Sequence, residues 1–101
     1  VYDVEAGKEL AAEFATGKAA IHQNHGLFTV GETVDAAAYW FITMERSCQA
    51  QLLAMAAGTP HLVDDDTARM VRDQISGPLP GWFQFRPLWD QITEEEPDLF
   101  D

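Results

Sequence analysis

Apolar residues recur at helical spacing near the start of the chain, and this spacing predicts a helix over residues 4–14. Asp3 lies where an N-cap is expected, and Gly17 is a natural stop after the helix. Two short apolar runs follow, and they predict strands over residues 19–23 and 27–30. The Asn and Gly residues between these runs are typical of a tight turn, so we expect the two strands to form a hairpin.

A longer helix is predicted over residues 34–57, where apolar residues form a continuous stripe. Thr33 and Asp35 suit the N-terminus of this helix, and Gly58 and Pro60 suit its end. Other apolar residues lie off the main stripe. This pattern predicts that more than one neighbouring element covers the helix.

The last part of the chain predicts one more helix and an aromatic, acidic tail. Residues 64–76 begin with a run of aspartates, which suits a helix N-terminus. Residues 78–89 are rich in proline and aromatic side chains, and residues 94–101 are acidic. We therefore expect residues 1–58 to hold the first helix, the hairpin and the long helix. Residues 59–101 are expected to hold a C-terminal helix and the tail.

Composition narrows the class of protein. The 101 residues suit one domain at most, and 47% of them are hydrophobic, which is enough to build a core. The net charge of −11 argues against a surface that binds nucleic acid or an anionic membrane. The sequence has neither a secretion signal nor an apolar run long enough to cross a membrane, so we expect a cytoplasmic protein. A single cysteine excludes an internal disulfide and a multi-cysteine metal cluster.

His25 is the first candidate for chemistry. It lies between Asn24 and Gly26, where a rigid backbone could present a neutral imidazole to a divalent metal. The alternative is an ordinary turn histidine that hydrogen-bonds to the backbone. A metal needs three or four ligands, and the chain has three histidines and no His-x-His, so a complete site is not expected. Strand alternation would place His22 on the opposite face from His25. A bulge or the turn could bring them together, but the two are not expected to share a metal.

Other residues have both a chemical and a structural interpretation. His61 follows the long helix and is expected to face solvent. Cys48 lies on the apolar stripe, which favours a buried, inert thiol over a nucleophile. Glu45 and Arg46 could act in catalysis, but an ion pair in the fold or at an interface is favoured. Four aromatic residues could stack on a ligand, although packing in a core or subunit interface is favoured. They are Trp82, Phe83, Phe85 and Trp89.

The run over residues 19–31 and the helix that follows it resemble the second half of the class II aldolase/adducin family. The run reads Ala-Ala-Ile-His-Gln-Asn-His-Gly-Leu-Phe-Thr-Val-Gly, and the long helix opens with Val34-Asp35-Ala36-Ala37. The likeness covers residues 3–58 well and residues 59–101 more loosely. It implies an α/β fold that is part of an α/β/α three-layer sandwich, with a β-hairpin flanked by helices and one long helix.

The resemblance implies a site as well. His25 would be the last histidine of a three-histidine site that usually holds zinc, with manganese or another divalent ion as alternatives. His22 and Asn24 would support this site or face the substrate. The resemblance places the other two ligands, the acid/base carboxylate and the phosphate-binding residues upstream of Val1. It assigns no catalytic acid or base and no organic cofactor to this chain.

The function implied by the resemblance is a metal-dependent, aldolase-like lyase that acts on a small sugar or sugar phosphate through a metal-stabilised enediolate. Alternatives are an epimerase or dehydratase of the same family, and an adducin-like assembly domain without catalysis. The resemblance also implies a homo-oligomer, a tetramer, with active sites at subunit boundaries. Because the sequence starts with Val1 and lacks the upstream elements, we expect the C-terminal half of a longer protein, inactive alone.

Overall fold

A computed structural model describes residues 3–101, which form four α-helices, one antiparallel hairpin and a short 3-10 turn. The helices and strands are α1 (Val4–Glu13), β1 (Ala19–His22), β2 (Gly26–Thr29), α2 (Val34–Ala57), α3 (Asp65–Ile75) and α4 (Pro78–Glu95), with the 3-10 turn at Pro97–Phe100. The predicted α/β class, with a hairpin flanked by helices and one long helix, is confirmed. None of the helices within residues 3–101 combines the length and apolarity required to cross a bilayer.

The hairpin forms where the sequence predicts it. Both strands end one residue earlier than expected, and β2 also begins one residue earlier. Strands β1 and β2 pair antiparallel, from Ala19 opposite Thr29 to His22 opposite Gly26. Residues 23–25 form the connection. The predicted β1 is one residue too long because the backbone leaves the strand at residue 23 to make the turn.

Helix α2 begins and ends at the predicted residues. The Thr33 side chain accepts a hydrogen bond from the Ala36 N–H at 3.3 Å, which satisfies one of the unpaired donors of the first turn. At the other end, the Gly58 N–H donates to the Ala54 carbonyl at 3.1 Å. The Thr29 hydroxyl donates to the Ala37 carbonyl at 2.8 Å, so β2 is fixed directly to the first turn of α2.

The packed region is small and lies where α2 meets the hairpin and α4. Tyr39, 5% exposed, is the buried large apolar residue of the described chain. Gly81 of α4 is buried beside it. A Cβ at residue 81 would lie 3.4 Å from the Tyr39 Cβ, so the two helices approach closely at this point. The second half of α2 is uncovered, with Leu52 67% exposed. The prediction that several neighbours cover α2 therefore holds for its first half alone.

Helix α4 is the element that the sequence pattern did not predict, since prolines at 78, 80 and 87 favour an irregular segment. Pro78 and Pro80 occupy the first turn, where backbone N–H groups have no partner within the helix to lose. Pro87 lies inside the helix and removes the hydrogen bond that the Phe83 carbonyl would otherwise accept. The helix continues through Pro87 and packs its Gly81 face on α2.

Helix α3 begins with a side-chain cap. The Asp64 carboxylate accepts hydrogen bonds from the Thr67 N–H at 2.9 Å and from the Thr67 hydroxyl at 2.8 Å. The backbone hydrogen bond from Thr67, followed by the hydroxyl hydrogen bond, holds the pKa of Asp64 below its ordinary value. Because the pKa is lower in the folded state, the cap stabilises α3 fully above the unfolded-state pKa. This contribution disappears as the pH falls through the lowered folded-state pKa.

An NMR titration of the Asp64 carboxyl carbon is expected to give a midpoint below the ordinary aspartate value. Thr67→Ala should raise the midpoint only part of the way, because the backbone N–H of residue 67 still donates. A midpoint at or above the ordinary value in the unsubstituted protein would contradict the capping role.

Candidate metal centre

The turn that carries His25 is shaped by two backbone torsions. The His25 N–H donates to the His22 carbonyl at 3.0 Å and closes a four-residue turn. Asn24, the third residue of this turn, has φ of 62°, a left-handed value that asparagine tolerates better than most residues. Gly26 has φ of 140°, which strongly favours glycine. His25 is therefore flanked by two residues that tolerate the backbone conformation that the turn requires.

The two histidines of the hairpin face each other. The ring centroids of His22 and His25 lie 4.4 Å apart with an interplanar angle of 23°, so the rings are stacked. On the neighbouring strand, the Phe28 ring lies 5.7 Å from the His22 ring. The expectation that His22 and His25 point to opposite faces is wrong, because the chain reverses at Asn24 and strand alternation does not extend through the turn.

The environments of the two imidazoles differ. His25 is exposed at the tip of the hairpin, whereas His22 is half-buried. The Nδ1 atom of His22 is fully buried and has no hydrogen-bond partner among the described residues. Asn24 is also exposed. At the tip, the imidazole of His25 is therefore accessible, and the half-buried ring of His22 is stacked against it.

The described residues satisfy one position of a metal site. An exposed neutral imidazole on a fixed backbone is a suitable zinc ligand. However, residues 3–101 contain no group of three His, Cys, Asp or Glu side chains close enough together to hold an ion. A zinc ion held by His25 would therefore need ligands from other residues or from another subunit.

The remaining candidates lie away from the turn. His61 is exposed in the loop between α2 and α3, as expected. Cys48 is half-buried on α2 rather than fully buried. Glu45 and Arg46 are exposed on α2 and form no ion pair with another described residue. The favoured ion pair within the fold is therefore not formed in residues 3–101.

The four aromatic residues, for which packing in a core or subunit interface is favoured over stacking on a ligand, lie on α4. Trp82 and Phe83 contact each other with ring centroids 5.1 Å apart, and Phe83 remains 60% exposed. Phe85 and Trp89 lie 6.4 Å apart, and Phe100 of the 3-10 turn packs edge-on against Trp89 at 6.0 Å. These side chains contact one another in pairs, and Trp82, Phe83 and Trp89 leave much of their surface uncovered.

The stacking of His22 on His25 is the feature of the site that sequence reasoning missed. A signal was present, since Asn followed by His-Gly favours left-handed backbone at the Asn and Gly positions. Such a turn brings its first residue, His22, and its last, His25, to the same side.

The fold and this turn define an α/β protein in which a hairpin places one histidine ahead of a long helix. The model of the family described as "Class II Aldolase and Adducin N-terminal domain" matches residues 1–52. The chain belongs to the class II aldolase and adducin family. The family resemblance predicted from the sequence is thereby confirmed.

Two similar curated proteins come from Streptomyces. Decarboxylase NovR of Streptomyces niveus is 42% identical over 93 residues, which cover 92% of this chain and 34% of that protein. The 4-hydroxy-3-prenylphenylpyruvate oxygenase/4-hydroxy-3-prenylbenzoate synthase of Streptomyces roseochromogenus subsp. oscitans is 41% identical over 93 residues, with the same coverage.

A third similar protein comes from a yeast. The Meiotically up-regulated gene 14 protein of Schizosaccharomyces pombe is 44% identical over 78 residues, and the match covers 74% of this chain and 30% of that protein.

A solved structure has the same fold. The L-fuculose 1-phosphate aldolase from Glaciozyma antarctica PI12 superposes with a TM-score of 0.80 and 38% identity, over 90% of this chain and 36% of that one. The chain spans about a third of the length of the relatives it matches. A C-terminal half implies relatives about twice as long as this chain, and these coverages correspond to relatives roughly two and a half times as long.

Proposed function

We propose that this chain contributes His25 as one ligand of a divalent-metal-dependent, aldolase-like lyase that acts on a small sugar or sugar phosphate. The observation that carries the proposal is the exposed imidazole of His25 on a turn fixed by Asn24 and Gly26. The similarity to an L-fuculose 1-phosphate aldolase over 90% of the chain supports the choice of reaction. The metal is zinc by preference, with manganese or another divalent ion as alternatives.

The chain's own part in the reaction is to position a ligand. When bound, a divalent ion supplies Lewis-acid polarisation of carbonyl and hydroxyl oxygens on the substrate. The turn holds the backbone of His25 in one conformation, and the Thr29–Ala37 hydrogen bond fixes the hairpin on α2. His22 lies against His25 inside the hairpin, and Asn24 lies exposed beside it, where it could face the substrate. The acid/base group and the phosphate-binding residues are proposed to lie outside this chain.

We further propose that the active protein is a homo-oligomer, a tetramer, with the uncovered faces of α2 and α4 packed against further copies. Large apolar side chains are exposed on both helices, among them Leu52, Leu53 and Phe83. Exposed apolar surface of this extent usually marks an interaction surface. The radius of gyration, 16.5 Å, exceeds the roughly 13 Å of a compact 100-residue domain, in line with surfaces that need a partner.

A second candidate function comes from the two Streptomyces relatives. At 42% and 41% identity they are slightly more similar to this chain than the aldolase at 38%. One is named a decarboxylase, and the other an oxygenase acting on 4-hydroxy-3-prenylphenylpyruvate. The second candidate is therefore oxygen-dependent decarboxylation of an arylpyruvate on the same fold.

Substrate turnover before and after chelation tests the proposal. The protein expressed from its complete reading frame is incubated with L-fuculose 1-phosphate, and release of dihydroxyacetone phosphate is measured. Chelation is expected to lower the rate by at least roughly 100-fold, because Lewis-acid catalysis is worth several kcal/mol and each 1.36 kcal/mol is tenfold. Added zinc or manganese should restore the rate. Sedimentation of the same sample should give the mass of four chains.

The same preparation separates the candidates. Oxygen consumption with 4-hydroxy-3-prenylphenylpyruvate, without cleavage of the sugar phosphate, would favour the second candidate. Isomerisation or water loss from a sugar phosphate would favour an epimerase or dehydratase. A protein that binds no metal and turns over no substrate, yet assembles, would favour an adducin-like assembly role.

A further inference from the structure

We propose that His22 is a positioning residue whose ring stacks on His25 and holds that imidazole in the plane in which it binds a metal. This inference rests on the proposed role of His25 as a ligand. Three features of the molecule support it: the rings are stacked, the Nδ1 atom of His22 is buried, and the turn fixes the backbone beneath both rings.

The stacking geometry excludes His22 from the metal that His25 would bind. The nitrogen lone pair of an imidazole lies in the plane of its ring, so a zinc ion about 2.0–2.1 Å from the nitrogen lies near that plane. The rings of His22 and His25 are nearly parallel, with centroids 4.4 Å apart. Their planes do not meet within bonding distance of either ring. One ion therefore cannot accept in-plane lone pairs from both histidines in this arrangement.

Ring packing holds His22 in place. Its ring contacts His25 on one side and lies 5.7 Å from the Phe28 ring, measured between centroids. Its buried Nδ1 makes no hydrogen bond with another described residue. Because a polar contact does not orient His22 within the described chain, a phenyl ring of similar shape should serve at this position.

The benefit of the stack lies in preorganisation. The backbone of His25 is fixed by the turn, but an exposed imidazole still rotates about two side-chain bonds. A flat ring beneath it removes the orientations that would clash with that ring. Less side-chain freedom is then lost when the metal binds, which raises affinity without a new bond to the metal.

Three substitutions separate this role from ligation and from simple filling of space. His22→Phe keeps the flat ring and removes both nitrogens, whereas His22→Leu keeps apolar volume and removes the ring. Gln23→Leu alters an exposed neighbour in the same turn and serves as the control. If the leucine variant does not fold, His22→Gln removes the ring with a polar side chain and replaces it in the comparison.

Zinc affinity is measured by competition with a chromophoric chelator, on protein expressed from its complete reading frame. We expect His22→Leu to weaken zinc binding about 10- to 100-fold, the usual effect of losing a residue that orients a ligand. His22→Phe and Gln23→Leu should remain within a few-fold of the unsubstituted protein. Equal losses in the leucine and phenylalanine variants would overturn the proposal, because they would indicate that a nitrogen of His22 matters.

A second measurement examines the stack without metal. In the apo protein, the ring protons of His25 should be shifted upfield by the neighbouring ring in NMR spectra. The shift should persist in His22→Phe and disappear in His22→Leu. Loss of the shift in His22→Leu with zinc affinity unchanged would overturn the positioning role. A third outcome concerns the proposed function. If the unsubstituted protein shows the shift but His25→Ala still binds zinc, His25 is not a ligand and the proposed function fails. The two failures are thereby distinguished.

Discussion

Replacing His25 with alanine is expected to lower the zinc affinity of the protein, expressed from its complete reading frame, by at least roughly 100-fold. Loss of a residue that merely orients a ligand costs about 10- to 100-fold, and loss of the ligand itself should cost at least as much. His25 is exposed, so the apo protein should remain folded. Zinc content after dialysis, measured by mass spectrometry, gives the result directly.

A thermal measurement provides a second readout of the same change. Zinc that binds only the folded state stabilises it, and a 100-fold excess over the dissociation constant is worth about 2.7 kcal/mol. We expect zinc to raise the melting temperature of the unsubstituted protein and to have little effect on His25→Ala. His61→Ala is the matched control, because His61 is an exposed histidine in the loop between α2 and α3. Equal zinc content in all three proteins would exclude His25 as a ligand.

Gly31→Ala is expected to produce the largest loss of stability among glycine substitutions in this chain. A Cβ at residue 31 would lie 2.6 Å from the Ala37 nitrogen and 2.9 Å from the Ala36 Cβ. One of these neighbours is helix backbone, which cannot move without disturbing the first turn of α2. Overpacking of this kind costs about 1–3 kcal/mol, and more where backbone must shift. For a domain of about 100 residues, each kcal/mol lowers the melting temperature by about 4–8 °C.

Gly58→Ala supplies the control for the change at residue 31. Gly58 ends α2 in an extended conformation, with φ of 161°, and no atom lies within 4 Å of the position of its added Cβ. The substitution should be neutral or stabilise by up to about 1 kcal/mol, because it restricts the unfolded chain. Similar melting temperatures for the two variants would show that the approach of residue 31 to α2 is not close in solution.

The long helix and the hairpin could be predicted because local signals agree with the fold there. Thr33 and Gly58 stand at the two ends of α2 and both act as the sequence suggests. Asn24 and Gly26 mark the turn through their backbone preferences. These signals lie within a few residues of the structure they determine, so no knowledge of packing is required to interpret them.

Helix α4 could not be predicted because its determinants depend on position within the helix. By sequence alone, Pro78 and Pro80 indicate an interruption of helix. In the structure they occupy the first turn of α4, where proline costs no hydrogen bond. Pro87 does cost one, and the contact of α4 with α2 holds the helix in place. This contact joins residues about forty positions apart in sequence, so a reading of local pattern misses it.

The candidate site also has one part that local sequence signals predict and another part that they do not. The sequence marked His25 as a candidate from its neighbours in the turn, and the structure leaves this residue exposed. It did not identify the contact between His22 and His25, because the assumption of strand alternation ends where the turn begins. The other ligands proposed for the site could not be located, since the described residues bring together no group of three His, Cys, Asp or Glu side chains.

The conformation of the turn also links the position of His25 to the pairing register of the hairpin. His22 pairs with Gly26, whose φ of 140° suits a residue without a side chain. A slip of one residue would move a residue with a side chain into that conformation and would turn the side chains of the slipped strand to the opposite face. It would also separate the two imidazoles. Strand alignment and the position of His25 are therefore a single property of this hairpin, and an error in one during folding would be an error in the other.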